Sequence, residues 1–180
     1  LDAIANQAVA EADLLTFAPA ASDPDADDVF AWSGGALPSG AAVDASTGVF
    51  TWTPGFTQAG SYAGVSIAVD DGKGGTASQS FDITVNNVNQ APVVAAIPDQ
   101  SVTAGLLLTI TPSGSDADGD VLAWSGSSLP AGASLNASSG ELTWTPDETQ
   151  VGSYPGVTIT ADDGNGATAS QSFSITVNSA

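Results

Sequence analysis

The amino-acid sequence predicts an all-β protein built from two tandem β-sandwich domains of similar sequence. Two observations predict this fold class: the chain repeats itself, and each copy alternates apolar and polar residues with period two between closely spaced turn signals. Trp32 returns as Trp124 and Trp52 returns as Trp144, both at an offset of 92 positions (124 − 32 = 92). No segment shows the period of an amphipathic helix. We therefore expect about seven strands per copy, arranged as a sandwich.

The repeat also sets the expected domain boundaries. The first domain is predicted at residues 1–86 and the second at residues 93–180. The linker between them, residues 87–92, is rich in carboxamide side chains and ends at Pro92. Upstream of Val29 the offset becomes 93, so the first copy carries one extra residue within the segment 25–28.

The strands of the first copy can be placed in order along the chain. Early strands are expected at residues 14–17 and 29–33. Residues 37–40 have the sequence Leu-Pro-Ser-Gly, which favours a turn. Thr47 and Gly48 favour a tight hairpin that leads into a strand at residues 49–52. The second copy repeats these elements at residues 106–111, 121–125, 129–132, 139–140 and 141–144.

Comparison of the two copies shows which side of each strand faces the core. Phe50 and Trp52 alternate with Val49, and the second copy has Glu141 at the position of Val49. A charged residue there indicates an exposed face, so the tryptophan face is core. One buried tryptophan removes on the order of 200 Å² from water. The last two strands of each copy alternate in the same way, with inward positions at Val65, Ile67, Val69, Phe81, Ile83, Val85, Phe173, Ile175 and Val177.

The composition excludes several classes of function. The formal net charge is −19, and Lys73 is the only basic side chain. Such a surface repels nucleic acid and anionic membranes, which bind through Lys/Arg clusters. No segment approaches the ~20 apolar residues of a membrane helix, so direct membrane insertion is not expected. The chain is 42% hydrophobic with regularly spaced aromatics, which indicates a folded protein despite its acidity.

Enzyme chemistry is not predicted. Histidine and cysteine are both absent, so Ser and Thr lack their usual general base and no thiol nucleophile exists. Paired carboxylates could serve a glycosidase. The acidic residues, however, lie in loops that repeat in both copies, which is typical of a structural role.

Several motifs resemble one family in both copies. In the first copy these are Ser22-Asp23-Pro24-Asp25, the turn at 37–40, the segment Thr47 to Pro54, Gln58 to Tyr62, Asp70-Asp71-Gly72 and Phe81 to Val85. Each copy resembles the bacterial putative-Ig or cadherin-like domain of long surface-protein arrays. The resemblance implies an extracellular or cell-surface structural or adhesive module, part of a rod, stalk or fibre, whose partners are neighbouring copies or adjacent repeats. The alternative is a carbohydrate-binding accessory module of a secreted enzyme, with polysaccharide as the partner.

The resemblance to cadherins also implies a calcium site at the joint between the domains. Matched by position, its ligands are Glu11, the linker residues Asn87, Asn89 and Gln90, the loop residues Asp116 and Asp118, and the late acid Asp162, with Asp120 as an addition. Cadherin linkers carry Asp where this one carries Asn or Gln, so weaker binding is expected, roughly millimolar as in other extracellular modules. The alternative interpretation is that Asp-x-Asp-Gly loops are simply good turns, in which side chains cap backbone N–H groups.

A second calcium site is expected between subunits or successive repeats. The first copy has Asp23, Asp25 and Asp70 at one pole, and the second copy has Asp147 and Glu148 where the first has Gly55 and Phe56. Joining these poles head to tail would complete an acidic site and propagate into a fibre or a covalent array.

Three further features concern single residues. Asn136-Ala137-Ser138 is an N-glycosylation sequon in a predicted turn. Tyr62 and Tyr154 are expected to be packing or corner residues. Phe56 has no aromatic counterpart in the second copy, so it is a candidate for an exposed contact with a sugar.

Overall fold

A computed structural model describes residues 1–24 and 29–180. The chain divides into two compact units, Leu1–Val88 and Asn89–Ala180. Both are β-sandwiches, which confirms the predicted fold class. In the described part of the chain, no helix has the length and hydrophobicity needed to cross a membrane.

The first unit contains seven strands among its described residues. They are β1 (Gln7–Ala10), β2 (Leu15–Phe17), β3 (Ala31–Gly35), β4 (Ala42–Val43), β5 (Phe50–Trp52), β6 (Gly60–Asp70) and β7 (Thr76–Asn86). One sheet has the order β1-β7-β6-β3 and the other β2-β5-β4. Strand β1 runs parallel to β7, and the remaining pairs are antiparallel.

The second unit repeats this topology and adds one short ladder. Its strands are β8 (Val93–Val94), β9 (Gln100–Thr103), β10 (Leu108–Ile110), β11 (Gly114–Ser115), β12 (Ala123–Ser127), β13 (Ser134–Leu135), β14 (Leu142–Trp144), β15 (Gly152–Asp162) and β16 (Thr168–Asn178). The sheets are ordered β12-β15-β16-β9 and β10-β14-β13, and β8 pairs separately with β11. The second unit therefore has two short strands beyond the predicted seven.

Strand β3 in the first unit and the equivalent strand β12 in the second begin two residues later than the sequence predicts. Val29 and Val121, predicted to start these strands, are 82% and 91% exposed. The register explains the shift: Ala31 pairs with Asp70, the last residue of β6. Because the chain turns after Asp70, no partner strand is available to pair with Val29, and the same holds for Val121 in the second unit.

Each unit buries its own core on the face that alternation predicts. Trp32, Trp52, Trp124 and Trp144 are all buried, as are the inward residues of the last two strands. Trp52 and Trp144 also satisfy their indole N–H, which donates to a backbone carbonyl of Ser39 or Ala131 at 3.1 and 3.2 Å. Large aromatic area is thus buried with no polar atom of the ring left without a partner.

A tight hairpin at residues 44–48 packs against Trp32. The carboxylate of Asp44 accepts hydrogen bonds from the backbone N–H groups of Ser46 and Thr47 and from the Thr47 hydroxyl. Gly48 follows with φ of +72°, in the left-handed region that favours glycine. A Cβ at Gly48 would lie 2.5 Å from Cδ2 of Trp32. The glycine is therefore needed both for its backbone conformation and for the close approach of the indole ring.

Candidate metal site

The clearest cluster of potential ligands lies in the loop between β11 and β12. Asp116, Asp118 and Asp120 alternate along this loop. Carboxylate oxygens from all three lie within 4.8 Å of one another. Three carboxylates at this spacing repel one another unless donors or a cation neutralise them.

Hydrogen bonds satisfy only part of this cluster. Asp116 Oδ1 accepts from the backbone N–H of Asp118 at 2.8 Å, and Asp118 Oδ2 accepts from the backbone N–H of Gln90 at 2.6 Å. Asp120 Oδ2 accepts from Nδ2 of Asn165 at 2.7 Å. The other oxygens of the first two residues, Asp116 Oδ2 and Asp118 Oδ1, are buried and accept no hydrogen bond from the described residues.

These two buried oxygens are the strongest feature of the loop. A buried carboxylate oxygen without a donor is costly, and such atoms are rare in folded proteins. An Asp-x-Asp turn serving only to cap backbone N–H groups would not need the second oxygen of each residue to be buried. A hard divalent cation takes several oxygen ligands of this kind. The loop therefore offers oxygen atoms of the kind that a hard divalent cation takes as ligands.

A second buried carboxylate belongs to Asp163, which sequence analysis did not select. Asp163 is only 4% exposed and accepts a hydrogen bond from Nδ2 of Asn89 at 2.8 Å. It also accepts from the backbone N–H groups of Asn165 and Ala167. The Asn89 amide, first among these donors, holds the pKa of Asp163 below its ordinary value. The amide nitrogen of Asn89 is thereby fixed, and its oxygen remains as a possible metal ligand.

The predicted late acid, Asp162, occupies a different environment. It is exposed, and its Oδ1 accepts from the backbone N–H of Gly164 at 2.7 Å. Strand parity accounts for the difference: Val157, Ile159 and Ala161 are buried, so position 163 continues the inward side and Asp162 points outward. The same alternation in the sequence could have identified Asp163.

A further buried carboxylate, Glu11, lies in the first unit. Its side chain is only 2% exposed, and Oε2 accepts from the backbone N–H of Val88 at 3.0 Å. Its Oε1 is buried and accepts no hydrogen bond from the described residues. The matching position in the second copy (11 + 93 = 104) is Ala104, which is also buried. The fold therefore does not require an acid at this position.

The remaining predicted ligands that the structure describes are exposed, apart from the half-buried Gln90. Asn87 is exposed, and Gln90 approaches the cluster through its backbone N–H. Asp23 and Asp70 are exposed, and Asp70 accepts from the backbone N–H of Gly72. Asp25 lies outside the described residues.

Asp147 and Glu148 are engaged in local hydrogen bonds. Asp147 is the N-cap of a single 3-10 turn, Glu148–Gln150, and its Oδ1 accepts from the backbone N–H and hydroxyl of Thr149. These bonds hold the pKa of Asp147 below its ordinary value, and the bond from the Thr149 hydroxyl contributes most to this shift. Glu148 Oε1 accepts from the backbone N–H of Ala180 at 2.9 Å. Both acids thus have roles within the second unit.

The single-residue predictions can also be placed. Asn136 is exposed, and its Oδ1 accepts from the backbone N–H groups of Ser138 and Ser139. Phe56 is 36% exposed and is the one aromatic residue among the large exposed hydrophobic residues that the structure describes. Tyr62 and Tyr154 are corner residues, as predicted, and their hydroxyls donate to the backbone carbonyls of Gln58 and Gln150.

The topology and the repeat define a tandem pair of Ig-like, cadherin-like sandwich domains. The family model described as Putative Ig domain matches residues 1–86 and 91–178. The chain therefore belongs to this family and contains the domain twice. A search of curated proteins gave no significant match.

Solved structures with the same fold include cadherin ectodomains. Human mucin-like protocadherin EC1-2 aligns with a TM-score of 0.60 at 15% identity, covering 99% of this chain and 97% of that one. Mouse cadherin-23 EC22-24 aligns with a TM-score of 0.54 at 17% identity, covering 99% of this chain and 64% of that one. At these identities the similarity establishes the fold alone.

An enzyme also contains a region of similar shape. An endo-fucoidan hydrolase from glycoside hydrolase family 107 aligns over 100% of this chain at 17% identity, with a TM-score of 0.44. This chain spans 28% of the length of that enzyme. An alignment of this quality carries no argument for hydrolase activity.

Proposed function

We propose that the protein is a non-catalytic, calcium-binding tandem module of an extracellular or cell-surface protein, with a structural or adhesive role. Family membership and the cadherin-like fold support the class of protein. The buried oxygens Asp116 Oδ2 and Asp118 Oδ1, which accept no hydrogen bond from the described residues, carry the calcium part of the proposal. A net charge of −19 is compatible with a protein that works among extracellular cations.

The second unit offers an oxygen-only ligand set. Asp116 and Asp118 would supply the oxygens that lack donors, and Asp120 lies beside them. The carboxamide oxygen of Asn89 is a further candidate, since its nitrogen is held by Asp163. Backbone carbonyls and water usually complete the 6–8 ligands of calcium. With a modest number of carboxylates, we expect a dissociation constant in the roughly millimolar range of extracellular modules.

The contribution of Glu11 stays a prediction from the resemblance to cadherins. It is supported by the buried oxygen Oε1 of the first unit, which accepts no hydrogen bond from the described residues. Glu11→Gln tests it in a calcium titration of the full chain. A weaker calcium affinity would support a role as ligand, and an unchanged affinity would limit the ion to residues of the second unit.

The main experiment compares calcium binding and thermal stability in four samples. The parent and the double variant Asp116→Asn with Asp118→Asn are melted in chelator and in calcium, and calcium affinity is measured by calorimetry. At tenfold excess over the dissociation constant, calcium should stabilise the parent by about 1.4 kcal/mol. This corresponds to a rise in melting temperature of roughly 5–10 °C for a domain of this size.

Glu141→Gln is the matched control. It removes one negative charge from an exposed position directly before β14 in the same unit, where the first copy has Val49. The control should keep the full calcium response, whereas the double variant should lose it. Equal melting temperatures of the parent in chelator and in calcium would contradict the calcium proposal and favour the interpretation of the loop as a turn.

We further propose that the two units form part of a covalent array of such domains and act through neighbouring copies or adjacent repeats. In a head-to-tail contact between separate subunits, calcium would have to compete with the donors that Asp147 Oδ1 and Glu148 Oε1 already have, so we expect the purified chain to remain monomeric. Sedimentation of the purified chain at high protein and calcium concentration tests this. Monomers are expected, and calcium-dependent filaments that disappear in Glu148→Gln would instead support the intersubunit site formed with Asp23, Asp25 and Asp70.

Polysaccharide binding is the second candidate function, and the exposure of Phe56 is the observation that favours it. A glycan array probed with the parent and with Phe56→Ala distinguishes this function from a purely structural or adhesive role. Phe56 has Glu148 as its counterpart in the second copy, so the ring is not required by the fold. Binding that Phe56→Ala abolishes would establish a carbohydrate-binding module.

A further inference from the structure

The turn between β15 and β16 contains an unusual pair of residues. Asn165-Gly166 is the only Asn–Gly dipeptide in the sequence. Both residues are exposed, and the turn lies beside the acidic loop of the second unit. The matching position in the first copy (165 − 92 = 73) is Lys73, so this pair does not belong to the repeat.

An Asn–Gly pair can react with itself. The backbone nitrogen of Gly166 attacks Cγ of Asn165 and closes a five-membered succinimide. The bond from Cγ to the side-chain nitrogen breaks, and that nitrogen leaves as ammonia with the proton lost from the Gly166 N–H. Water then opens the ring at either carbonyl to give aspartate or isoaspartate. The net change consumes one water and releases one ammonia, with no redox partner. Glycine at the following position favours the attack because no side chain shields its nitrogen.

In this protein the side-chain amide of Asn165 is hydrogen-bonded to the acidic loop. Nδ2 of Asn165 donates to Asp120 Oδ2 at 2.7 Å, and the backbone N–H of Asn165 donates to Asp163 Oδ1 at 2.8 Å. Ring closure requires the side chain to turn towards Gly166 and to lose the nitrogen that binds Asp120. A hydrogen bond to a charged acceptor is among the stronger ones in proteins. The contact with Asp120 therefore opposes the reaction.

We propose that Asn165 is a site of spontaneous deamidation, controlled by its contact with Asp120, and that the product adds a further carboxylate beside Asp116, Asp118 and Asp120. The reaction replaces a hydrogen-bond donor to Asp120 with a like charge. The loop then loses stability without a cation and gains an oxygen ligand when a cation is present. Only this cation-dependent consequence rests on the proposed function.

Peptide mapping by mass spectrometry tests the modification directly. The folded parent is aged at mildly alkaline pH in chelator, and the conversion of each Asn is followed over time. Asn165 should convert faster than Asn136, which is also exposed but is followed by Ala137. Asp120→Ala should speed conversion at Asn165 by about tenfold, the factor expected when one charged hydrogen bond is lost. Asn165→Gln should abolish it, because glutamine would have to close a six-membered ring.

Two results would overturn the proposal. The first is a deamidation rate at Asn165 that is no higher than the rate at Asn136, both in the folded parent and in a sample aged in denaturant. The other is an unchanged rate in a folded Asp120→Ala variant, or in Asp120→Ser should the alanine variant not fold. The product variant Asn165→Asp separates this proposal from the calcium proposal. Its melting temperature should be lower than that of the parent in chelator, and calcium should remove this difference. Rapid conversion with no calcium response would uphold the modification site and reject the metal site.

Discussion

Asp44 and Asn136 cap the same turn in the two copies, one with a carboxylate and the other with a carboxamide. Each accepts hydrogen bonds from two backbone N–H groups of its turn. The Thr47 backbone N–H, first among the donors, holds the pKa of Asp44 below its ordinary value of 3.8. A carboxylate with a lowered folded-state pKa stabilises the protein above its unfolded-state pKa, and that contribution is lost as pH falls through the folded-state pKa.

Asp44→Asn should therefore reduce the pH dependence of stability. When pH is lowered from neutral to below 3.8, we expect the melting temperature of the variant to fall by less than that of the parent. The reason is that a carboxamide still caps the turn and does not titrate. Asn136 shows that a carboxamide fits this turn. Thermal melts across this range measure the difference. Parallel curves for parent and variant would contradict the prediction.

Gly48 and Gly64 provide a matched pair for the close approach to Trp32. Both have positive φ, +72° and +71°, but a Cβ at Gly64 would meet nothing within 4 Å. Gly64→Ala should cost only the left-handed conformation, about 1–2 kcal/mol. Gly48→Ala should cost about 1–3 kcal/mol more, because the methyl group displaces the indole ring. Urea denaturation measures both, and equal losses would show that the contact with Trp32 is unimportant.

At the scale of elements, the long strands β6 and β15 each begin beside a tyrosine corner. The rings of Tyr62 and Tyr154 lie edge-on to Trp52 and Trp144, with centroids 5.0 Å apart in both units. Each hydroxyl donates at 2.9 Å to a backbone carbonyl four residues earlier. The corner thus connects the loop before the strand to the core of the sandwich.

Tyr154→Phe should remove this bond and keep the ring packing. We expect a loss of about 1 kcal/mol, the usual net contribution of one hydrogen bond, and more if the carbonyl of Gln150 is left without a donor. Tyr62→Phe is the control for the equivalent corner and should cost the same. Denaturant midpoints measure both. No loss in either variant would mean that water replaces the hydroxyl at no cost.

Alternation predicted the inward faces of the long strands because each has one solvent face and one core face. It did not predict where β3 and β12 begin, since their first residues depend on where distant partner strands turn. Asp116 and Asp118 were found from the resemblance. The resemblance to cadherins points to Asp162, whereas strand parity places its neighbour Asp163 on the inward side. The burial of Glu11 and of single carboxylate oxygens depends on tertiary packing, which no local pattern encodes.

At the scale of the whole molecule, 20 acidic residues oppose a single basic one. Repulsion among these charges lowers stability, and salt of any kind weakens the repulsion by screening. A general salt effect must therefore be separated from specific calcium binding. Measurements in chelator and in calcium need equal ionic strength, with sodium chloride making up the difference.

Amide hydrogen exchange of the Asp116–Asp120 loop is the most direct test of the calcium site. With ionic strength held constant, we predict that calcium slows exchange at residues 116–120 and at the N–H of Gln90, which donates to Asp118. The double variant Asp116→Asn with Asp118→Asn should show no such protection, and Glu141→Gln should match the parent. Exchange in this loop that is identical in calcium and in chelator would contradict the account.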